Sequence, residues 1–99
     1  MIKLLALDLD GTLLNSQGKI SVENKTAIRN AEEKGVFVTI ATGRRFRDAR
    51  PIALEAEFNA PILTHNGALI KYAESLETVD ARLIERETAK EILRVGREF

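Results

Sequence analysis

Asp8-Leu9-Asp10-Gly11-Thr12 is the segment of this chain whose residue types and spacing point most directly to chemistry. It follows the apolar run Leu4-Leu5-Ala6-Leu7, which reads as a buried strand. The pentad therefore sits at a strand's carboxyl end, where open α/β sheets bind ligands. Two carboxylates, a glycine and a hydroxyl at such a place suit a phosphate and a cation. A carboxylate at Asp8 can attack a phosphoryl group and form an aspartyl phosphate. Asp10 can protonate the leaving oxygen and later take a proton from water. Carboxylates with no thiol or histidine cluster beside them suit Mg²⁺. Gly11 lets the backbone turn tightly and bring N–H groups to the phosphate, and Thr12 is expected to bond the loop. Taken alone, the pair of aspartates is equally an Asp-rich turn after a strand.

Two later segments repeat the logic. Thr42-Gly43-Arg44 ends a second apolar run, Val36-Phe37-Val38-Thr39-Ile40-Ala41. A hydroxyl there can donate to a phosphate oxygen, and the following helix points its N-terminus at the same place. Arg44 can pair with substrate charge or brace the loop. His65-Asn66-Gly67 closes a third strand, and Asn66 can orient a substrate or the nucleophile's loop. By residue type it is equally an Asn-Gly turn leading into a hairpin. His65 has no evident partner. Arg45, Arg47 and Arg50 read as a solvated helix face.

The elements that must position these residues follow from local pattern. The first strand is expected over Lys3 to Leu9. Ser21 is expected to cap a helix from Val22 to about Lys34, with Glu23 in its first turn, Ile28 and Ala31 inward, and Gly35 just past its end. The second strand covers Val36 to Ala41. A second helix runs from Arg47 to Glu57, with Pro51 in its first turn or just before. Pro61 to Thr64 is a short third strand. The order β-α-β-α-β with short connections requires parallel strands and right-handed crossovers. Beyond residue 67 the texture changes: Ala68 to Tyr72 and Leu76 to Val79 read as a hairpin, and Glu85 to Phe99 as a helix with Ala89, Ile92 and Leu93 on one face. Thr88 and Glu91 have capping-box spacing, which would start that helix later.

The totals narrow the class. A chain of 99 residues with 44% apolar content and zero net charge fits one globular domain and argues against a nucleic-acid-binding module. Charge is uneven: residues 1–50 carry nine basic and six acidic groups, and residues 51–99 carry six and nine. There is no cysteine, which excludes disulfides and thiolate metal sites. No segment spans a membrane and the amino terminus lacks a signal-peptide pattern, so a cytoplasmic protein is expected.

With the three strand ends assembled, the chain resembles the haloacid dehalogenase superfamily of phosphatases, and within it the Cof-type branch of sugar-phosphate phosphatases, which carry a large cap after the third strand. Asp8, Asp10, Gly11 and Thr12 match the family's first motif; Thr42, Gly43 and Arg44 match its second. Thr64-His65-Asn66-Gly67-Ala68-Leu69-Ile70 resembles the segment before the cap, and Gly18 to Ser21 falls at the family's mobile flap. The resemblance implies a three-layer, Rossmann-like α/β fold with strand one central. Residues 1–68 would form the amino-terminal part of the core, and residues 69–99 the hairpin and helix at the start of the cap region. It implies Asp8 as nucleophile and Mg²⁺ ligand. Asp10 would be acid/base and give the metal its backbone carbonyl. Gly11, Thr42, Gly43, Arg44 and Asn66 would lie at the phosphate or substrate, a small phosphorylated metabolite. The family's third motif, a lysine, and its fourth, an acidic loop completing the Mg²⁺ site, have no match here. The expectation is a truncated, incomplete site, inactive alone. The competing reading is a non-catalytic metal- or phosphate-binding regulatory module. The chain is also expected to self-associate, through the bare edge of strand one or through the last helix, or to be only marginally stable, unless that helix folds back over the edge and leaves a monomer.

Overall fold

The computed structural model describes all 99 residues. Strand β1 (Leu4–Leu7) pairs in parallel with β2 (Phe37–Ile40), in register from Leu4 opposite Phe37 to Leu7 opposite Ile40. Strand β3 (Ile62–Thr64) joins the far side of β2 through one parallel bridge, Ala41 to Leu63. Side chains extend that thin junction. Asn59 accepts the Val38 N–H and donates to the Val36 carbonyl, and the Thr39 hydroxyl donates to the Pro61 carbonyl. The first strand is shorter than Lys3 to Leu9, because residues 9–13 coil into a tight turn instead of extending.

Helix α1 (Val22–Glu33) follows its local signals. The Ser21 hydroxyl accepts the Asn24 N–H at 3.1 Å. At the other end Gly35 takes a left-handed φ of 86°, its N–H reaches the Glu32 carbonyl, and the Val36 N–H reaches Ala31. This closure satisfies carbonyls that the helix end would otherwise leave unpaired. Ile28 is buried and Ala31 packs against the core.

Helix α2 (Phe46–Ala56) begins one residue before the expected Arg47 and stops at Glu57, which is left-handed at φ 54°. Pro51 is its sixth residue, not a first-turn residue as expected. It is exposed, so the Arg47 carbonyl that loses its N–H partner faces a side open to water. Ala49 and Ala53 carry the buried face. The Lys25–Glu55 ion pair and the bond from the Asn59 N–H to Glu32 tie the α2 end of the chain to α1. Both helices therefore lie on one side of the sheet, as right-handed crossovers require when strand order advances in one direction.

Strand β4 (Leu69–Lys71) runs antiparallel to β3, and β5 (Thr78–Ala81) antiparallel to β4. The expected hairpin is thus the outer part of a three-stranded meander, and its second strand starts and ends two residues later than Leu76 to Val79. Leu76 lies in the turn with a left-handed φ of 66°. Helix α3 (Arg86–Gly96) buries no residue; every side chain is exposed except half-buried Ala89. Thr88 and Glu91 form no capping box, since the helix already begins at Arg86 and Glu91 pairs with Arg94 instead. It does not fold back over β1. The radius of gyration, 16.0 Å, exceeds the roughly 13 Å of a compact domain this long. The core is one cluster beneath the site-bearing loops, built on Leu9, Val38, Ile40, Ala49 and Ile62, all fully buried. No helix is long and apolar enough to cross a membrane.

Candidate active site

The first loop is held from below by leucines. Leu9 is fully buried, and Leu13 and Leu14 nearly so, while Asp8 and Asp10 on either side of Leu9 are exposed. The main chain closes on itself: Leu13 N–H donates to the Asp8 carbonyl at 3.1 Å and Leu14 N–H to the Leu9 carbonyl at 3.0 Å. Gly11 turns with φ 77°, a conformation that costs glycine least. These main-chain bonds, rather than Thr12, tie the loop; Thr12 is exposed. One Asp8 oxygen, Oδ1, accepts the Leu9 N–H at 3.0 Å, which fixes the direction of the carboxylate.

The second loop places Thr42 at the end of β2, buried to 6% exposure. Its Oγ1 accepts the Arg44 N–H at 3.1 Å. With that lone pair occupied from the loop side, the hydroxyl's own proton is available to an acceptor in the cleft. Arg44 does not point into the cleft. It forks onto Asp10, Nε to Oδ2 at 2.9 Å and Nη2 to Oδ1 at 2.6 Å. The hydrogen bonds from Arg44 hold the Asp10 carboxyl below the usual carboxylate range, and Asp10 in turn raises Arg44. Of the two roles open to Arg44 from its residue type, the structure shows the bracing one.

The third loop is left-handed at three successive residues, His65 (φ 52°), Asn66 (56°) and Gly67 (91°). It is laced to the second loop. Thr42 N–H donates to the Leu63 carbonyl at 2.9 Å, His65 N–H to the Arg44 carbonyl at 2.9 Å, and Asn66 N–H to the Thr42 carbonyl at 3.1 Å. A fourth link uses a side chain: Phe46 N–H donates to His65 Nε2 at 3.1 Å. The Asn66 amide packs so closely on Gly43 that a Cβ there would stand 2.8 Å from Oδ1.

These loops enclose a cleft of about 360 Å³ lined by Asp8, Ala41, Thr42, Gly43, Leu63, Asn66 and Gly67. Asp8, Thr42, Gly43 and Asn66 thus share one space; Asp10 and Arg44 join as a pair beside it, and Gly11 turns the loop without lining the cleft. No cation lines the cleft, and nowhere do three acidic or histidine side chains converge as a ready metal cage. A larger groove of about 800 Å³ lies at the other end of β3, between Phe58 and Tyr72, away from these groups. Two contributions are not written in residue type: the clamp of Arg44 on Asp10, and His65 as the acceptor at the head of α2. The first has a signal in the Thr-Gly-Arg turn facing the aspartate loop. The second has none, since nothing local links residues 46 and 65.

Known proteins resemble this chain in sequence and in fold. The chain is 43% identical over 83 residues to YcsE, a 5-amino-6-(5-phospho-D-ribitylamino)uracil phosphatase of Bacillus subtilis, covering 84% of this chain and 33% of that protein. It is 40% identical over 91 residues to YwtE, a B. subtilis phosphatase of the same description, covering 92% and 31%. A solved haloacid dehalogenase-like hydrolase from B. subtilis superposes with a TM-score of 0.85 at 35% identity, over 98% of this chain and 34% of that one. The chain spans about a third of the length of the curated relatives it matches. The family model for haloacid dehalogenase-like hydrolases matches residues 5–99. With nearly every residue inside that match, the chain belongs to the haloacid dehalogenase-like hydrolases.

Proposed function

We propose that this chain carries the nucleophile half of a Mg²⁺-dependent phosphatase acting on small phosphorylated metabolites through an aspartyl phosphate. The observation that carries this reading is the convergence of Asp8, Thr42 and Asn66 on one cleft, with the Asp10–Arg44 pair beside it. Relatives described as phosphatases of a phosphoribityl compound support a phosphomonoester substrate on a small polyol-like carrier. In this reading an Asp8 carboxylate oxygen attacks phosphorus, the bond to the leaving oxygen breaks, and that oxygen takes a proton from Asp10. Water then attacks the phosphorus of the aspartyl phosphate and gives a proton back to Asp10, while the bond from phosphorus to the Asp8 oxygen breaks, which frees the carboxylate and releases inorganic phosphate. Thr42 donates to a phosphoryl oxygen, and Asn66 orients the bound ester.

Donor chemistry fits Mg²⁺, which commonly uses one or two carboxylates and fills its other positions with water and substrate phosphate. The Asp8 carboxylate and a main-chain oxygen of Asp10 would hold it; the Asp10 carboxylate is occupied by Arg44. When bound, the ion supplies charge neutralisation to the phosphoryl oxygens. Asp10 faces a constraint of its own. Its pairing with Arg44 favours the ionised form, which cannot donate a proton. The pair must therefore part, or the proton must arrive with the substrate, before the first step. We further assign residues 1–68 to the amino-terminal part of the core and residues 69–99 to the approach to a cap. A cytoplasmic location goes with the same reading, for a chain with no cysteine to use in an oxidising compartment.

Inorganic phosphate, added to the ¹⁵N-labelled chain with and without Mg²⁺, tests the site. The expected result is weak, Mg²⁺-enhanced shifts at the amides of residues 8–11, 42–44 and 66, lost in Asp8→Asn. Shifts confined to other surfaces, or unchanged in Asp8→Asn, would overturn the assignment. Turnover of p-nitrophenyl phosphate by this chain alone is expected at background, since no cation lines the cleft to offset a carboxylate and a phosphate. Robust turnover abolished by Asp8→Asn would refute that charge argument.

A further inference from the structure

We infer that His65 is a positioning residue that sets the second site loop by gripping it at two points. Its main-chain N–H holds the Arg44 carbonyl at 2.9 Å, and its ring Nε2 accepts the Phe46 N–H at 3.1 Å. These atoms bracket Arg45, the residue between the phosphate-site turn and helix α2. The role rests on the functional reading above, because what His65 fixes is the place of Thr42 and Arg44.

Three observations carry it. First, α2 lacks an ordinary cap. Arg45, at the cap position, makes no side-chain bond to the helix's free N–H groups, and its guanidinium turns to Asp48. A helix start leaves N–H groups without intrahelical partners, and the imidazole takes one of them from another loop. Second, the ring accepts at Nε2, so its proton is on Nδ1, and the neutral form is the one that grips. Third, His65 holds a left-handed φ of 52° although it is exposed. Histidine is among the residues enriched there, and no burial accounts for that conformation. It is the conformation in which N–H and ring both face the second loop. From the gripped segment the path to the chemistry is short. Arg44 N–H bonds Thr42 Oγ1, and the Arg44 guanidinium bonds Asp10.

The test compares His65→Phe, which keeps a ring but removes the acceptor, with His65→Gln, which returns an acceptor at similar reach. Both replacements meet the same left-handed backbone, so strain cancels in the comparison. Two measurements on the intact chain need no ligand: hydrogen exchange of the Phe46 amide, and the ¹⁵N–¹H resonance of the Arg44 Nε–H, which reports its bond to Asp10. In His65→Phe the Phe46 amide should exchange about fivefold faster or more, the scale of losing one helix cap. The Arg44 Nε–H resonance should move toward that of a free arginine side chain as its bond to Asp10 loosens. Both should return most of the way in His65→Gln. Unchanged exchange and an unchanged Arg44 Nε–H resonance in His65→Phe would overturn the role. So would equal losses in both variants, which would make the effect one of general packing. If His65→Phe fails to fold, His65→Ala supplies the same comparison. A native chain whose site amides ignore phosphate and Mg²⁺ overturns the functional reading alone, because neither His65 measurement depends on ligand.

Discussion

Gly43→Ala separates site geometry from stability better than any other single change here. The added Cβ would lie 2.8 Å from Asn66 Oδ1, with Cγ at 3.5 Å and Nδ2 at 3.6 Å. Ordinary contact begins at 3.4 Å, so one atom must move by about 0.6 Å, the difference of those two distances. The atom that yields is the end of an exposed side chain, so the Asn66 amide rotates away at a cost of about 1 kcal/mol. Gly43 does not sit in the left-handed region, so alanine meets no backbone strain there. Restricting the unfolded chain returns about 0.4–1 kcal/mol. The net change in unfolding free energy is therefore within about 1 kcal/mol of zero. The site fares differently. A group misplaced by about 1 Å can cost about 100-fold in rate, so a shift of about 0.6 Å in an orienting group is expected to cost roughly tenfold. Urea unfolding, the Asn66 side-chain amide resonances and phosphate titration in Mg²⁺ read the three quantities. Near-native stability with shifted Asn66 resonances and weakened phosphate binding is expected. Unmoved Asn66 resonances, or a stability loss above about 3 kcal/mol, would refute the reasoning. Gly11→Ala is the contrast: nothing stands within 4 Å of its Cβ, but its φ of +77° strains alanine, for a loss of about 1–2 kcal/mol.

Arg44→Met should raise the Asp10 carboxyl toward its ordinary value, since hydrogen bonds from Arg44 are what lower it. A carboxyl depressed on folding stabilises the fold above its unfolded pKa and loses that contribution as pH falls through the folded one. The native chain should therefore lose an acid-sensitive component of stability that Arg44→Met lacks; ¹³C titration and acid unfolding check both halves, and an unmoved Asp10 midpoint would exclude the clamp. We also propose that the chain self-associates through β1. That strand is paired on one side only, and Leu4 and Leu5 are 59% and 38% exposed, an open apolar edge of the kind that templates pairing with a second copy. Sedimentation should show mass rising with concentration; a concentration-independent monomer with strongly protected β1 amides would count against it.

How far the sequence could be read depends on how far apart the determinants lie. Helix α1 was legible end to end because Ser21, Ile28 and Gly35 act within a turn or two of where they sit. Helix α2 was legible only as a helix. The N–H of its first residue, Phe46, is taken by His65, nineteen positions on, and Pro51 lies in its interior, where no local signal places it. The turn between β4 and β5 depends on a leucine in the left-handed region, which no local preference announces. Strand β3 read correctly as a short strand, but its second partner, β4, is an antiparallel neighbour that the pattern of a separate hairpin concealed.

The same distinction explains the site. Asp8, Thr42 and Asn66 were readable because each sits at or just past the carboxyl end of a parallel strand, and parallel strands bring those ends together whatever the loops do. What the loops do is set by contacts between them. Leu9 drops into the core between two exposed aspartates, so the first loop stands on buried apolar surface. The second and third loops stand on each other, through three main-chain bonds and one imidazole. Arg44 then bridges the two foundations by holding Asp10. A disturbance in the third loop can thus reach the acid/base candidate on the first without moving Asp8, whose carboxylate is fixed by its own Leu9 N–H. Asp8 and Asp10 are two residues apart in sequence, yet they answer to different supports, and that lets one stay in place while the other changes partner.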